Sequence, residues 1–458
     1  MSEMSRAATP LYLRELATFL AGTTIDALPE QARTQGRMIL ADTIPVIGAG
    51  MREPEMRALR ERVLACAGAG RAWVIGARLR ACARDAVMLN GTASTWLELN
   101  EGNLRPRGHP SVQVVPAAIA EAQVRDASGS ALLLAIVLGY EACSRIGRAA
   151  QVKLAVHPHG TWGVIGAAVA VGTLRGFSTE QFVTLINCAA TLGLATSRTT
   201  LLEGATVRNP FTGHSGQMGL LAADLVECGF TGQSDGPGTI YTEVLADQFD
   251  AASVTEGLGV DWLITQGYFK LHPTGRYVHA AFDAFDDALR GLPGDTLRAD
   301  DIDRIDVRAY KLAAMLKGQS IDSSFGARFS IPFGLATRVV HGHTRLPAFE
   351  MDAVSNPVVQ ALARRIFVTE DPAHTAAYPA TQRCDVRIRL HDGRALSGHC
   401  EIMRGEPENP HSADALRQKF FDLAVPLWGE EWATTLHKGC MKIEDIDHFG
   451  QWSDRIDL

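Results

Sequence analysis

The sequence predicts a mostly α-helical protein in which a large all-helical domain is joined to a smaller α+β domain. From Leu11 to about Gly267, apolar residues recur at the i, i+3 and i+4 positions of amphipathic helices. After about Lys270, apolar and polar residues alternate in several short segments, as in half-buried strands. The chain has 458 residues, more than a single hydrophobic core usually serves, so two domains are expected.

The helical region contains clear start and stop signals. Residues 130–147 and 161–174 have helical spacing, and the second segment is rich in small residues that let neighbouring helices approach closely. Gly176 ends this second helix, because glycine readily adopts the left-handed conformation found at helix C-termini. Residues 178–181 (Ser-Thr-Glu-Gln) fit a capping box that starts the next predicted helix, residues 180–194.

The later region alternates between helix and strand patterns. Residues 273–289 are predicted to form a helix, and residues 305–310 (IDVRAY) a strand. Residues 384–390 (CDVRIRL) alternate again, residues 391–394 supply a turn, and residues 395–403 continue as a second strand. Together these last three segments predict a β-hairpin.

The C-terminal segment returns to the helical pattern. After Arg404, loop residues are followed by a helix that matches the first region better than the second. The predicted domains are therefore an all-helical domain of residues 1–269 with 405–458, and an α+β domain of residues 270–404.

Composition narrows the function classes. Hydrophobic residues make up 46% of the chain and charged residues 21%, close to the average of soluble globular proteins. The net charge of −7 argues against a general nucleic-acid-binding protein, although a local cluster of cations could still bind an anionic substrate. Apolar runs such as residues 131–138 are shorter than the ~20 residues that cross a bilayer, and the N-terminal stretch lacks a secretion signal. We therefore expect a cytoplasmic protein that binds neither membranes nor nucleic acids.

No metal or cofactor is expected from the sequence. The eight cysteines are scattered and form neither a CxxC pair nor a Cys/His cluster with zinc spacing, so we expect them to be reduced core residues. The GxGxxG, Walker and HExxH patterns are also missing, so the sequence offers no nucleotide-binding or metalloprotease motif.

Residues 89–116 (LNGTASTWLELNEGNLRPRGHPSVQVVP) are predicted to form an active-site loop. This stretch places charged residues and glycines between two apolar flanks, and such connectors can hold several polar side chains beside one cavity. An ordinary solvated loop has the same composition, so the assignment also depends on motifs elsewhere in the chain. The candidate polar side chains are Glu98, Glu101, Arg105, Arg107 and His109.

Short motifs occur along nearly the whole chain. They include Asn90-Gly-Thr92, Gly108-His-Pro110, His157-Pro158 before a glycine-rich helix, Lys270 with Pro273, and residues 405–420 (GEPENPHSADALRQKF). Together they resemble the MmgE/PrpD family, which includes 2-methylcitrate dehydratases and cis-aconitate decarboxylases. The resemblance implies a large helical domain to which both chain ends contribute, a smaller α+β lid, and a homodimer joined through the helical domains. It also implies metal-free and cofactor-free catalysis on a small polycarboxylic acid.

The resemblance assigns roles to six residues. His157, just before a helix N-terminus that favours anions, matches the family's active-site histidine and is the leading candidate for proton transfer. His109 matches a second histidine, and Lys270 matches a lysine that faces the cleft. Either residue can transfer protons or bind a carboxylate. Substrate binding is assigned to Arg208, Arg276 and Glu98.

Several matched positions depart from the family pattern. Residues 98–102 (Glu-Leu-Asn-Glu-Gly) stand where relatives commonly show Asp-Phe-Asp-Asp-Thr, and Arg208 with Phe211 stands where a lysine and a histidine are frequent. Gly275 stands in place of a histidine of the decarboxylases, and Phe333 in place of a tyrosine of the lid helix. The changes leave cations that bind carboxylates and fewer groups that transfer protons, which argues against decarboxylation specifically.

The leading hypothesis is a lyase that removes a proton next to a carboxylate of a small di- or tricarboxylic acid and eliminates water, as 2-methylcitrate dehydratases do. His157, His109 and Lys270 would divide the proton transfers, whereas His159, outside the matched pattern, would contribute little. Two alternatives use the same scaffold: an isomerase or epimerase that returns the proton, and a decarboxylase. A third alternative is a non-catalytic homologue that binds carboxylates, and the retained histidines and lysine argue against it.

Overall fold

The computed structural model describes residues 8–66 and 68–456, and most of these residues are α-helical. The α-helices before residue 270 are Leu11–Gly22 (α1), Glu30–Gly50 (α2), Pro54–Leu64 (α3), Ala83–Ser94 (α4), Ser111–Arg125 (α5), Gly129–Ala149 (α6), Gly163–Leu174 (α7), Thr179–Thr191 (α8), Thr199–Leu202 (α9), Pro210–Glu227 (α10), Gly236–Thr239 (α11) and Ala251–Thr255 (α12). Those after it are Arg276–Leu289 (α13), Lys311–Ala314 (α14), Ser324–Ala327 (α15), Ile331–His341 (α16), Met351–Val354 (α17), Pro357–Ala363 (α18), Pro372–Ala377 (α19), Ala413–Met441 (α20) and Phe449–Asp454 (α21). Non-helical backbone at Gly429 interrupts α20.

The strands form one four-stranded sheet and three short ladders. They are Ala72–Val74 (β1), Leu79–Ala81 (β2), Gly102–Asn103 (β3), Ala150–Val152 (β4), Ala246–Phe249 (β5), Gly267–Tyr268 (β6), Ile302–Ala309 (β7), Ile366–Glu370 (β8), Cys384–Leu390 (β9) and Ala395–Cys400 (β10). The four-stranded sheet has the order β10-β9-β7-β8, in which β7 and β8 are parallel and the other pairs antiparallel. The ladders pair β1 with β2, β3 with β6, and β4 with β5.

The buried hydrophobic side chains form two clusters. The first extends from Tyr12 to Phe269 and resumes from Phe420 to Ile456, so helices from both ends of the chain share it. The second extends from Val278 to Met403 and includes the side chains on the buried positions of the four-stranded sheet. In the first cluster, α6 and α7 pack closely because glycines face each other: a Cβ on Gly139 would lie 2.6 Å from the carbonyl oxygen of Gly166.

Most of the predicted helices and strands are present, with ends shifted by a few residues. The helices α6, α7, α8 and α13 occupy the predicted segments, and the capping box is confirmed: the amide of Gln181 donates to Oγ of Ser178 (3.3 Å), and the amide of Ser178 donates to Oε1 of Gln181 (2.9 Å). The predicted hairpin is β9 and β10. Neither β8 nor the short ladders were predicted, because strands of two to five residues give little alternation to detect.

The predicted active-site loop is shorter than the stretch 89–116. The first helix, α4, continues to Ser94, and α5 begins at Ser111, so the connecting segment is residues 95–110, which we call the 95–110 loop. The flanks were assigned to the loop because their polar and glycine residues mask the helical pattern, although Asn90 and Gly91 are buried in helix contacts. The charged candidates from Glu98 to His109 all remain in the loop.

One described helix, α6, is long and apolar enough to cross a membrane, and most of it is buried inside the protein. Its 21 residues exceed the apolar run that the sequence suggested, because glycine and small polar residues continue the helix. Burial in the first cluster accounts for its apolar character. The division into domains at residues 270 and 404, the homodimer and the cytoplasmic location stay predictions. Residues 1–7, which are part of the N-terminal stretch judged not to be a secretion signal, lie outside the described residues.

Candidate active site

A cavity is lined by side chains from both parts of the chain, and it contains five of the six predicted site residues. The 95–110 loop and the segments before α7 and α10 form one part of its wall, and residues 275–277, Leu316 and Phe329 form another. The charged or hydrogen-bonding side chains in the wall are Glu98, Asn103, Arg107, His109, His157, Arg198, Arg208, Tyr268, Arg276, Tyr277 and Tyr378. Lys270, the sixth predicted residue, reaches the site through Glu98.

Glu98 is the buried anion of the site. Its Oε1 lies 2.5 Å from Nη1 of Arg208, and its Oε2 accepts a hydrogen bond from Nζ of Lys270 at 3.2 Å. All three side chains are at most 1% exposed. Burial alone would raise the pKa of Glu98, but the charges of Arg208 and Lys270 outweigh it and hold the pKa at about 2. Glu98 is therefore ionised across the physiological range.

Lys270 is a cation whose proton is easily lost. Burial lowers its pKa to about 8, because the attraction of Glu98 only partly offsets desolvation and the nearby charge of Arg208 acts in the same direction as burial. Its Nζ also donates to the backbone carbonyl of Glu98 at 3.2 Å. At pH 7 the ammonium form predominates, and its position is fixed by the two oxygens of Glu98.

The backbone around Glu98 is held by buried cations. Lys270 donates to the carbonyl of residue 98, Lys419 to that of Leu99 at 2.6 Å, and Arg328 to that of Leu97 at 3.4 Å. Glu98 itself adopts the left-handed conformation, with φ of 52°, which is uncommon for a residue other than glycine. Such strain persists where surrounding contacts enforce it, and it aims the carboxylate at Arg208 and Lys270.

His109 presents one ring nitrogen to the cavity. Its Nδ1 lies 2.7 Å from the backbone carbonyl of Glu101, and since a carbonyl only accepts, Nδ1 carries the proton. Nε2 is then the unprotonated nitrogen, and in the described part of the chain it forms no hydrogen bond. Burial, together with the charge of Lys270, lowers the pKa of His109 to about 3, so the ring is neutral at physiological pH.

His157 is coupled to Arg208. Nε of Arg208 lies 3.2 Å from Nε2 of His157, and the backbone amide of His159 lies 3.1 Å from Nδ1. A neutral imidazole accepts at only one nitrogen, and both neighbours are donors, so the two contacts compete for a single lone pair. A charged guanidinium is a stronger donor than a backbone amide, and we therefore assign the acceptor to Nε2. Burial and then the charge of Arg208 hold the pKa of His157 well below its usual range. The lone pair of His157 is thus occupied by an arginine rather than open to the cavity.

His159 is fully buried between the other two histidines. Its ring centroid lies 4.5 Å from that of His157 and 5.2 Å from that of His109. Neither ring nitrogen has a hydrogen-bond partner among the described residues, and burial followed by the charge of Arg208 holds the pKa of His159 well below the usual range. The sequence placed His159 outside the site, whereas the structure packs it against both candidate proton-transfer groups.

Arg276 is almost fully engaged by the protein. Its Nε and Nη2 both donate to Oε1 of Glu406, at 3.0 and 2.5 Å, and Nη1 donates to Nδ1 of His279 and to the carbonyl of Arg404, both at 3.1 Å. The guanidinium carbon lies 4.4 Å from the ring centroid of Tyr268, within the range of a cation–π contact. Arg276 lines the cavity, but these partners occupy most of the donors that a substrate carboxylate would need.

Two of the family departures are explained by close packing at the cavity. A Cβ at Gly102 would lie 2.4 Å from the hydroxyl of Tyr268 and 2.6 Å from Nδ1 of His109, so a side chain at residue 102 would displace both. A Cβ at Gly275 would lie 2.9 Å from the ring of Phe329, which fills the space that a longer residue would occupy. At residues 102 and 275 the cavity wall therefore has no room for the side chains that the family pattern has there.

The other two departures lie at different depths. The ring of Phe211 is 6.2 Å from that of His157, so it supplies an apolar neighbour to the imidazole. Phe333 is fully buried in the second cluster and packs against Phe349, away from the side chains that line the cavity. Replacing its ring by a tyrosine would place a hydroxyl in that core.

Comparison with models of protein families tests whether the chain belongs to the family that its motifs resemble. The family model described as the MmgE/PrpD N-terminal domain matches residues 14–236, and the model of the MmgE/PrpD C-terminal domain matches residues 272–440. The chain belongs to the MmgE/PrpD family. Residues 237–271 lie between the two matches, and the resemblance drawn from the short motifs is confirmed.

Relatives in this MmgE/PrpD family are similar over most of their length. The chain is 26% identical to the cis-aconitate decarboxylase of Mus musculus over 388 residues, which cover 79% of this chain and 76% of the relative. It is 24% identical to the cis-aconitate decarboxylase-like protein oryM of Aspergillus oryzae, with 81% and 82% covered. It is 22% identical to a cis-aconitate decarboxylase of Aspergillus terreus, with 90% and 88% covered.

Glu101, a candidate of the predicted active-site loop, lies behind the cavity wall rather than in it. It is buried, shares a short hydrogen bond with the hydroxyl of Tyr140, and has a pKa raised to about 7 by burial. Other residues of the site were not predicted from the sequence. Arg198 and Tyr378 line the cavity from segments without any motif, so nothing local marked them.

One group of potential metal ligands exists among the described residues. Oxygens and nitrogens of Asp371, His374 and Asp385 lie within 4.8 Å of one another. The group contains no cavity-lining residue. Asp371 is already engaged, because its carboxylate accepts from the amides of Ala373 and His374 and contacts Arg308. We read the group as part of the ion-pair network of the second cluster.

Proposed function

We propose that this member of the MmgE/PrpD family is a lyase that acts on a small polycarboxylic acid, and that loss of carbon dioxide is its favoured reaction. The observation that carries the proposal is the cavity itself, where two neutral imidazoles lie beside buried cations. The relatives named as cis-aconitate decarboxylases support the choice of carbon dioxide over water as the leaving group.

The cations of the site suit an anionic substrate. Arg208 lines the cavity beside a buried carboxylate, and Lys270 adds a second positive charge behind it. Two cations on one carboxylate leave a positive excess in a region of low dielectric, where charge interactions are stronger than in water. A substrate carboxylate next to Arg208 would compete with Glu98 and His157 for its N–H groups.

That competition prepares a proton-transfer group. When a substrate carboxylate takes over the N–H that Arg208 gives to His157, Nε2 of His157 becomes available to accept or return a proton. His109 offers a second such nitrogen, Nε2, which has no hydrogen-bond partner in the part of the chain that the structure describes. Burial and neighbouring cations depress the pKa values of both rings, and the negative charge of a bound substrate would raise those values toward the neutral range.

Decarboxylation and dehydration make different demands on these groups. When a carbon–carboxylate bond breaks, its electron pair stays on carbon and must be quenched by a proton, which a protonated imidazole supplies. When water is lost, a base removes a proton next to a carboxylate and an acid protonates the departing hydroxyl. The same two imidazoles can serve either reaction, so the dehydratase-like reaction is the second candidate.

Turnover assays on the purified chain test the proposal. Incubation with cis-aconitate, citrate and 2-methylcitrate is followed by released carbon dioxide, by ultraviolet absorbance of double bonds and by deuterium uptake from heavy water. We expect carbon dioxide release from cis-aconitate or a close tricarboxylate. Water loss without carbon dioxide would support the dehydratase, deuterium exchange without mass loss would support an epimerase, and binding without any of these would support a non-catalytic homologue.

We also propose that the two hydrophobic clusters correspond to two domains, and that the chain forms a homodimer through its first cluster. The small residues of α7 are buried against neighbouring helices of the same chain, so they account for packing within the subunit, and the dimer is proposed from the family resemblance alone. Light scattering at micromolar concentration tests the dimer, and a monomeric mass contradicts it.

A further inference from the structure

The inner cations of the cavity are engaged by the protein's own carboxylates. Arg208 and Lys270 contact Glu98, and Arg276 contacts Glu406. Arg208 and Lys270 carry one positive charge more than Glu98 can neutralise. A single substrate carboxylate bound at Arg208 neutralises that remaining charge. A substrate with more than one carboxylate therefore needs additional cations.

Two further arginines line the same cavity, and neither forms a salt bridge with any carboxylate of residues 8–66 or 68–456. These are Arg107 and Arg198. Nε of Arg198 donates to the backbone carbonyl of Leu154 at 2.6 Å, and Nη2 donates to that of Val156 at 3.1 Å. The carbonyls fix the guanidinium beside His157 but contribute no net charge, so its positive charge remains uncompensated.

Arg107 lies in the 95–110 loop, far from Arg198 in the sequence, and it lines the same cavity. Its backbone is in the left-handed conformation, with φ of 55°, which is uncommon for arginine and is enforced by the tight turn that closes the loop. The amide of Arg107 donates to the carbonyl of Leu104 in that turn at 3.2 Å. The turn presents the side chain of Arg107 to the cavity wall.

Tyr378 joins these two arginines from the second cluster. Its ring stacks on that of Tyr310, with centroids 5.0 Å apart and planes at 12°, so its position is fixed. Its side chain lines the same cavity as Arg107 and Arg198. Burial and the neighbouring Tyr277 raise the pKa of the Tyr378 hydroxyl, while the charges of the two arginines act to lower it. The hydroxyl is a neutral donor at any physiological pH.

We propose that Arg107, Arg198 and the hydroxyl of Tyr378 bind a second carboxylate of the substrate, so that this site selects acids with at least two carboxylates. The inference rests on the proposed function for the first carboxylate, at Arg208. A guanidinium offers paired N–H donors that match a carboxylate, and charge-assisted hydrogen bonds of this kind are about twice as strong as neutral ones. Because Tyr378 comes from the second cluster, the bound carboxylate links the two parts of the chain.

Binding of unreactive acids tests the inference separately from turnover. Tricarballylate carries three carboxylates but neither a hydroxyl nor a double bond, and butyrate carries one carboxylate. Isothermal titration of the full chain compares wild type with Arg107→Gln and Arg198→Gln. We expect each substitution to weaken tricarballylate binding by about tenfold, the effect of losing one charged hydrogen-bonding group, and to leave butyrate binding unchanged.

The matched control is Arg105→Gln, which changes an arginine of the same loop that donates to Gln266 and does not line the cavity. It should bind tricarballylate as wild type does. Arg107 is exposed and holds no backbone carbonyl by its side chain, so Arg107→Gln decides the matter even if Arg198→Gln fails to fold. Unchanged tricarballylate affinity in Arg107→Gln, or a wild type that binds tricarballylate no more tightly than butyrate, overturns the inference. Arginine-dependent binding without turnover refutes the lyase and leaves the inference in place.

Discussion

The ammonium of Lys270 and the carboxylate of Glu98, 172 residues apart in the chain, meet at 3.2 Å where both side chains are excluded from solvent. Arg208 contacts the other oxygen of the same carboxylate. Each member of this trio depends on the others, because a buried charge without a partner is costly. The trio therefore supports the fold and sets the charge of the site together.

Glu98→Gln should destabilise the protein strongly. The change removes the anion and leaves Arg208 and Lys270 buried without it, and breaking a buried pair typically costs about 3–5 kcal/mol. Urea unfolding at pH 7 measures the free energy of unfolding. Glu203→Gln, the same chemical change at an exposed glutamate, should leave it almost unchanged. Equal stability of the two variants would show that the trio does not support the fold.

The low pKa of Glu98 predicts that the free energy of unfolding depends on pH. The pKa of Glu98 is about 2 in the folded chain, against 4.5 for a glutamate in the unfolded chain. Above pH 4.5 the carboxylate is ionised in both states and its stabilisation is complete. As the pH falls from 4.5 towards 2, the unfolded chain binds the proton first and about 3 kcal/mol is lost. Acid unfolding of Glu98→Gln should lack this part of the slope, and an unaltered slope would contradict the assignment.

Arg208→Lys should weaken substrate binding more than it alters the pH profile. The guanidinium of Arg208 contacts Glu98 with one nitrogen and His157 with another, which a single ammonium cannot reproduce. We expect KM or the tricarballylate Kd to rise by about tenfold or more, with the limbs of the pH profile in place. Arg105→Lys is the control. A lost limb with unchanged affinity would assign Arg208 to proton transfer instead.

His159→Leu should leave the protein at least as stable as wild type. Within residues 8–66 and 68–456, neither ring nitrogen of this fully buried histidine has a partner. A buried polar group without a hydrogen bond costs about 1–3 kcal/mol, whereas leucine has a similar volume and no polar atom. Turnover should change far less than the ~100-fold that loss of a proton-transfer group costs. A stable His159→Leu variant with a 100-fold lower kcat would show that this histidine carries a proton.

Turnover should survive exhaustive chelation. The residues that could hold an ion, Asp371, His374 and Asp385, lie outside the cavity wall, and Asp371 is already bonded to amides and to Arg308. Activity after dialysis against EDTA, with metal content measured in the same sample, checks this. If chelation abolished turnover and one equivalent of an added metal restored it, the prediction would be wrong.

Local patterns predicted local structure well. Residues that lie close together in sequence determine the features that were predicted correctly. These are the capping box at Ser178, the hairpin of β9 and β10, and the helices α6 and α7. The strand β8 was missed because its five residues are defined by the parallel partner β7, about 60 residues earlier, rather than by a pattern of their own.

The site was predictable only where a motif marked it. Five of the six proposed residues line one cavity, but the pairing of Arg208 with His157 joins positions 51 residues apart, and no local rule states which nitrogen faces which. Arg198 was missed for the same reason: its guanidinium is placed by the carbonyls of Leu154 and Val156, which only the folded chain brings near. Hydrogen-bond partners of this kind depend on tertiary packing.

His157→Gln should abolish most of the turnover while the substrate still binds. Glutamine offers an amide oxygen to the N–H of Arg208, so the carboxylate-binding guanidinium keeps its place, but it has no nitrogen that can accept and return a proton. Loss of a positioned acid–base group costs about 100- to 10,000-fold in rate. We expect kcat to fall within that range and the Kd for tricarballylate to stay within a few-fold of wild type.

His109→Gln separates the two histidines in the same assay. Nδ1 of His109 donates to the carbonyl of Glu101, and Nε2 has no partner among the residues that the structure describes. The accepting nitrogen of His157, by contrast, must first be released by Arg208. If substrate binding releases it, His157→Gln is the slower of the two variants. An undiminished kcat in His157→Gln together with a 100-fold loss in His109→Gln would instead show that Arg208 never leaves His157, and that His109 alone moves the proton.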